Sequence, residues 1–334
     1  MLPEMNRRRA LETLFCSSAA LALNLRAASA VPAIDRDALH FLMIGDFGTT
    51  GKEQHAVAAG MRTFQRQQRL RPAAMLLLGD NFYSPAKDSF SVQSTRWRTT
   101  FEDVYPAADF PMSCYAVLGN HDYHDNAGGE KVQLAYAARG GTRWTMPAKW
   151  FRCEFGSPRP LVTVFALDSN LPTVSGGKHK TTRMPKASLT VEEADQQLQW
   201  LEGELAKPRA PLTIVIGHHP LYSNGSHGDT PPLIEQWGPV FQRHRVHAYV
   251  CGHDHDLQHL ELEGQFTSHV ISGGGGATIR DLKNAGRMMP YGKPTHGFTH
   301  LEVHEGAMVF AHHAADGTLL HRFTKHQDGH VVIG

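Results

Sequence analysis

His247-Ala248-Tyr249-Val250-Cys251-Gly252-His253-Asp254-His255 is a short apolar run that meets a glycine and ends in three polar side chains. A run of this length bounded by Gly reads as a buried strand, typical of a sheet covered on both faces. Four other segments share the layout. Residues 39–44 run into Gly45-Asp46-Phe47-Gly48, and residues 73–78 into Gly79-Asp80-Asn81-Phe82-Tyr83. Residues 114–118 run into Gly119-Asn120-His121-Asp122, and residues 212–216 into Gly217-His218-His219-Pro220. Glycine lets the chain turn sharply and sets the next side chain at the strand's carboxyl end, where open α/β sheets bind ligands. Five polar clusters on one edge read as five contributions to one site.

Helical patterns lie between these strands. Residues 52–69 are helix-compatible, with Ala56, Met61 and Phe64 expected to face inward. Thr190 and Glu193 form a capping box that opens a helix over residues 191–206, with Leu198, Leu201 and Leu205 as its apolar stripe and Pro208 as its stop. Residues 232–244 read as a further helix. After Gly276 the texture changes: residues 297–304 and 307–314 alternate around Glu305-Gly306, and residues 319–326 follow Asp316-Gly317. These turn signals predict an antiparallel meander beside an α/β fold.

With 41% apolar and 19% charged residues, the chain of 334 residues can bury a sizeable core, which excludes a disordered or fibrous class. Lys+Arg 33 against Asp+Glu 32 leaves a net charge of +1, so there is no electrostatic footprint for nucleic acid. Four Cys in this length are no disulfide framework; Cys114 and Cys251 read as buried thiols, and a pairing of Cys153 stays open. The 22 His point toward a metal site, since imidazole is the commonest metal ligand.

Residues 1–30 read as an address rather than structure. Arg7-Arg8-Arg9 precedes an apolar stretch over residues 14–25 and the small-residue pattern Ala28-Ser29-Ala30. The stretch is shorter than the roughly 20 residues needed to span a bilayer. It resembles a twin-arginine export signal. Bulky Phe15 before Cys16 argues against a lipid anchor. Removing this segment takes away four Arg and two Glu, so the mature charge is +1 − 2 = −1. The expectation is a periplasmic or secreted monomer with no stable membrane anchor.

The strand ends collect Asp46, Asp80, Tyr83, Asn120, His218, His253 and His255. Such a set suits two metal ions roughly 3.5–4 Å apart bridged by a carboxylate. Asp80, the central acid, is the natural bridge, while His253 and His255, two apart, can reach neighbouring ions. Asn120 offers only a neutral oxygen, which suits a divalent ion. Tyr83 is the most informative: a phenol with a pKa of about 10 binds as phenolate only to a strongly acidic metal such as Fe(III).

Asp46-x-Gly48, Gly79-Asp80-x-x-Tyr83, Gly119-Asn120-His121-Asp122, Val215-x-x-His218 and Gly252-His253-x-His255 resemble, in order, the five signatures of the purple acid phosphatases. Thr100-Phe101-Glu102-Asp103-Val104 and Leu257-Gln258 agree with the small, tartrate-resistant type, and the similarity spans about residues 40 to 326. The resemblance implies a four-layer α/β/β/α sandwich of metallophosphoesterase type, with residues 31–334 as one calcineurin-like catalytic domain. It implies a ferric site of Asp46, Asp80, Tyr83 and His255, and a site for divalent Fe, Zn or Mn made of Asp80, Asn120, His218 and His253. Many relatives in the superfamily carry His two residues after the first Asp; here Gly48 stands there and Tyr83 supplies the replacement. The implied reaction is acid hydrolysis of phosphate monoesters, on a small molecule or a phosphoprotein, by metal-bound hydroxide. His121 resembles the general acid and His227 a second substrate-contacting histidine.

Plainer readings stand beside these. His121 is alternatively a partner of Asp122, and His227 a plain loop residue. Asp168 reads as structural. His124, His179, His219, His259, His312 and His313 read as surface or packing residues. Gly273 to Gly276 lacks the Lys of a phosphate loop and suggests close backbone approach. Residues 172–185, with Lys178, Lys180 and Arg183, are expected to form a basic loop over the metals. A phosphodiesterase or pyrophosphatase on the same ligands, and a non-catalytic iron-binding or redox protein, are the rival functions.

Overall fold

The computed structural model describes residues 34–84, 90–178, 186–284, 287 and 289–334. The expected export signal, Cys16, His179, Lys180 and Arg183 lie outside the described residues. The strands are β1 (Leu39–Ile44), β2 (Ala74–Leu78), β3 (Ser113–Val117), β4 (Trp144–Thr145), β5 (Phe151–Phe155), β6 (Val162–Ala166), β7 (Leu212–Ile216) and β8 (Ala248–Cys251). They continue as β9 (Leu257–Leu260), β10 (Ser268–Ser272), β11 (Tyr291–Lys293), β12 (Gly297–His304), β13 (Ala307–Ala314), β14 (Leu319–His326) and β15 (Val331–Ile333). The α-helices are α1 (Lys52–Gln68), α2 (Asn120–His124), α3 (Gly129–Ala138), α4 (Val191–Leu205) and α5 (Pro231–Arg243).

Two mixed sheets form, ordered β15-β14-β13-β12-β1-β2-β3-β4 and β11-β9-β10-β8-β7-β6-β5. Strands β1 to β4 run parallel, as do β6, β7, β8 and β10. The meander appears as expected, with β12 to β15 antiparallel and β12 joined to β1. The five polar strand ends therefore do not share one edge. Those after β1, β2 and β3 belong to one sheet, those after β7 and β8 to the other.

Side chains alternate across each strand. On β6, β7 and β8, Val164, Ile214 and Val250 face the other sheet, packing with Phe41, Leu76 and Leu301. Their neighbours Phe165, Val215 and Tyr249 face the helices, meeting Leu201, Leu205, Trp237 and Phe241. Each such burial contributes about 1.5–3 kcal/mol. On the far side of the first sheet, Phe64 of α1 packs edge-on against Phe298, with ring centroids 5.6 Å apart. The layers thus run helix, sheet, sheet, helix.

Most local expectations hold. The Thr190 hydroxyl accepts from Glu193 N at 3.1 Å, and the Glu193 carboxylate accepts from Thr190 N at 3.0 Å. Leu201 and Leu205 are buried and Leu198 is half-buried. In α1, however, Ala56 is exposed, and Val57, Met61 and Phe64 make the buried stripe. The spacing 57, 61, 64 keeps one face, from which position 56 is rotated by a quarter-turn or more. Cys114, Cys153 and Cys251 are free thiols, the first and last buried. Among the described residues no helix is long and apolar enough to cross a membrane.

Candidate metal centre

The turns that follow β1, β2 and β8 place Asp46 (φ 57°), Asp80 (φ 53°) and His253 (φ 69°) in the left-handed region. L residues avoid it at a cost of order 1–3 kcal/mol each, so the surroundings must hold them there. They do. Asp46 N donates to Gly79 O at 3.0 Å, Gly48 N to Asp80 O at 3.2 Å, and Tyr83 N back to Gly48 O at 3.0 Å. The second sheet is tied in by Gly45 N to Ser272 O at 2.8 Å and Gly275 N to Gly45 O at 3.1 Å. A Cβ on Gly275 would stand 2.2 Å from Gly45 O, so the expected close approach of this glycine run is what joins the strand ends.

Two donor groups result. In the first, the Tyr83 hydroxyl lies 3.0 Å from Asp46 Oδ1, 3.0 Å from Asp80 Oδ2 and 3.3 Å from His255 Nε2. His255 Nε2 is 3.5 Å from Asp46 Oδ1. Bonds of roughly 2.1 Å at angles between 90° and tetrahedral place ligand atoms about 3.0–3.5 Å apart, so these four donors fit one cation. In the second group, His218 Nε2 is 3.1 Å from Asn120 Oδ1, 3.1 Å from His253 Nδ1 and 3.4 Å from Asp80 Oδ1. Asp80 gives one oxygen to each group, the arrangement of a bridge. Next to Asp46, a Cβ on Gly48 would lie 2.1 Å from Asn81 O, so no larger residue has room there, and the Tyr83 hydroxyl is the donor that stands with Asp46.

The imidazoles are aimed by their other nitrogens. His218 Nδ1–H donates to Leu78 O at 3.0 Å and His255 Nδ1–H to Thr278 O at 2.7 Å, leaving each Nε2 lone pair for a metal. Burial pushes the Tyr83 phenol well above its usual pKa, and the charges of Asp46 and Asp80 push it further. A phenolate here therefore requires a cation. The donor chemistry fits the metals expected from the sequence.

His121 stands beside this set, its ring 4.3 Å from that of Tyr83. Its carboxylate partner is Asp125, at 2.9 Å from Nδ1, and not Asp122. Burial lowers the His121 pKa, but the Asp125 hydrogen bond and the charges of Asp80, Asp125 and Asp122 outweigh it and push it up to about 9. Asp122 instead points the other way, accepting from Gly119 N at 2.8 Å and Phe82 N at 3.1 Å, and so binds two ligand loops together. His227 is no plain loop residue: its ring centroid is 4.1 Å from that of His253, and its Nδ1 is 3.0 Å from buried Asp254 Oδ1. Asp168 accepts from Tyr123 OH at 2.6 Å and caps Asn170, a structural part as expected.

One residue given no role belongs here. His219 joins His218 and His253 in a cluster of potential ligand atoms, all within 4.8 Å of one another, while its Nδ1 is 2.8 Å from Ser169 Oγ. Its only sequence signal was adjacency to His218. A groove of about 370 Å³ opens beside the second group, walled by Asn120, His124, Lys186, His219, His227 and His253. Lys178 of the expected basic loop is exposed.

The profile of the calcineurin-like phosphoesterases matches residues 39–257. Tartrate-resistant acid phosphatase type 5 of Oryctolagus cuniculus is 31% identical over 84% of this chain and 89% of its own length. Purple acid phosphatase 7 of Arabidopsis thaliana is 29% identical, over 85% of each. Among solved structures, one described as GAP50, the anchor in the inner membrane complex of Plasmodium, superposes with a TM-score of 0.70 at 21% identity, covering 85% of this chain and 87% of that one. That last likeness is one of fold.

Proposed function

Because the chain belongs to the calcineurin-like phosphoesterases and is of purple acid phosphatase type, we propose that it is an acid phosphatase acting on phosphate monoesters. In this reading Asp46, Asp80, Tyr83 and His255 hold ferric iron, and Asp80, Asn120, His218 and His253 hold divalent iron, zinc or manganese. When bound, such a pair supplies charge neutralisation for the phosphate and acidification of a water. The chain supplies the rest. The groove at His219, His227 and His253 receives the leaving group. His121, with Nδ1 engaged by Asp125, has Nε2 left to hand a proton to the departing alcohol. His227, fixed by Asp254, lines the path of the substrate.

The observation that carries this reading is the Tyr83 hydroxyl, which lies within 3.0–3.3 Å of three other donors. The test is metal analysis with a visible spectrum of the purified protein, alongside hydrolysis of an aryl phosphate and its diester at acid pH. Two ions per chain and a tyrosinate–Fe(III) band that vanishes in Tyr83→Phe are expected, with the monoester cleaved faster. A colourless oxidised protein, or preference for the diester, overturns it.

A further inference from the structure

Arg280 has no counterpart among the motif residues. It follows β10, and its Nη1 lies 2.6 Å from His227 Nε2. His227 Nδ1 faces Asp254 at 3.0 Å, so the imidazole accepts from the guanidinium on one side and donates to the carboxylate on the other. The segment bearing Arg280 is fastened to the His227 loop. Lys283 N and Asn284 N donate to Asn224 O at 2.9 and 3.2 Å. Arg287 grips Asp229 with two contacts of 2.6 and 2.7 Å. Arg287 is thus neutralised by a carboxylate, while among the described residues Arg280 has no carboxylate partner. A guanidinium has five N–H donors in a rigid fork and stays charged at every working pH. The His227 contact uses one nitrogen, and the side chain is exposed. It touches His227, whose ring lies against that of His253 with centroids 4.1 Å apart.

We propose that Arg280 is a specificity-determining residue, a fixed fork beside the metal centre that binds a second anionic group, carboxylate or phosphate, on the leaving group of the phosphoester. The proposal rests on the phosphatase reading above and names its substrate class: esters of phosphate that carry another negative charge. The leaving group enters along His227, which lines the groove, and the exposed Arg280 guanidinium is held on that histidine. Hydrogen bonds to charged groups contribute about 1.5–3 kcal/mol, so discrimination of roughly ten- to hundredfold is expected.

The experiment compares phenyl phosphate with 4-carboxyphenyl phosphate, and titrates methylphosphonate and phosphonoacetate by calorimetry. In Arg280→Ala, kcat/KM on the carboxylated ester should fall at least tenfold more than on the plain one, mainly through KM. Phosphonoacetate should lose at least tenfold more affinity than methylphosphonate, and Arg280→Lys should recover part of both. Losses by the same factor on the plain and carboxylated members of each pair, including no loss at all, overturn the proposal. If the wild-type protein turns over neither ester, the phosphatase reading falls. The phosphonate titrations then decide the role of Arg280 by themselves.

Discussion

Replacing Asp122 with Asn should destabilise the metal-free protein by about 3 kcal/mol. Asp122 is 1% exposed, and both of its oxygens are saturated. Oδ1 accepts from Asn81 N and Phe82 N, each at 3.1 Å, and from Gln133 Nε2 at 2.8 Å. Oδ2 accepts from Gly119 N at 2.8 Å and Asn81 Nδ2 at 3.2 Å. An amide has a single acceptor oxygen. Whichever way the introduced carboxamide is turned, its NH2 meets at least two N–H donors. Each buried donor left unpaired costs about 1–3 kcal/mol, and small shifts or an entering water recover part of the total. The same bonds hold the loop of Asp80 and Tyr83 against that of Asn120, so metal affinity should fall about 10- to 100-fold as well. Urea unfolding of chelator-treated wild type and Asp122→Asn measures the first effect, and competition with a chromogenic chelator the second. A stability loss under about 1 kcal/mol with metal affinity retained would refute the view that this carboxylate organises the site.

Two further outcomes follow from geometry. Gly48→Ala brings a Cβ within 2.1 Å of Asn81 O, so the Asn81–Tyr83 backbone must move; about 1–3 kcal/mol of stability and the ion bound at Tyr83 should be lost. Thermal melting and metal content measure both, and a variant with wild-type values sinks the steric account of the Gly48–Tyr83 exchange. Burial depresses His247, His269, His313 and His321 to about 4. The unfolded chain, with imidazoles near 6.5, therefore takes up protons first: stability is full above about pH 6.5 and is lost as pH falls toward 4, by about 2 kcal/mol at pH 5 for each histidine. Urea midpoints of chelated protein at pH 7 and pH 5 should differ strongly; equal midpoints would show that these rings protonate without unfolding.

The two donor groups were legible because each member lies within a few residues of a strand end, where glycine and an apolar run announce the turn. Sheet membership was not. Strands buried on both faces carry no mark of their partner, and β1 pairs with β2 on one side and with distant β12 on the other. The same blindness covers pairs made across loops, such as Asp254 with His227 and His227 with Arg280. The Asp125 partner of His121 was within reach, since residues four apart share a helix face. Asp122 is the nearer carboxylate in sequence, but neighbours one apart on a helix do not face each other.

The histidine count pointed to a metal for a reason that the fold largely withdraws. His218, His253 and His255 belong to the donor groups, but His40, His259, His300, His312, His313 and His321 fill the meander and the core beside it. There they pair as rings and hydrogen-bond partners: His40 Nδ1 is 3.0 Å from His300 Nε2, and His259 Nδ1 is 3.0 Å from His321 Nε2. β12 and β13 are buried on both faces, so imidazole stands where an exposed polar residue would alternate in an open sheet. Such a core opposes acid, the condition in which the proposed phosphatase works. Bound metals act the other way, adding about 2.7 kcal/mol for an ion at a hundredfold excess over its Kd, and they also compete with protons for His218, His253 and His255. Two such ions add about 5 kcal/mol, part of the roughly 8 kcal/mol that the four depressed histidines withdraw at pH 5. Metal loading is therefore expected to raise the acid stability of the fold, and urea midpoints of metal-loaded and chelated protein at pH 5 that coincide would refute it.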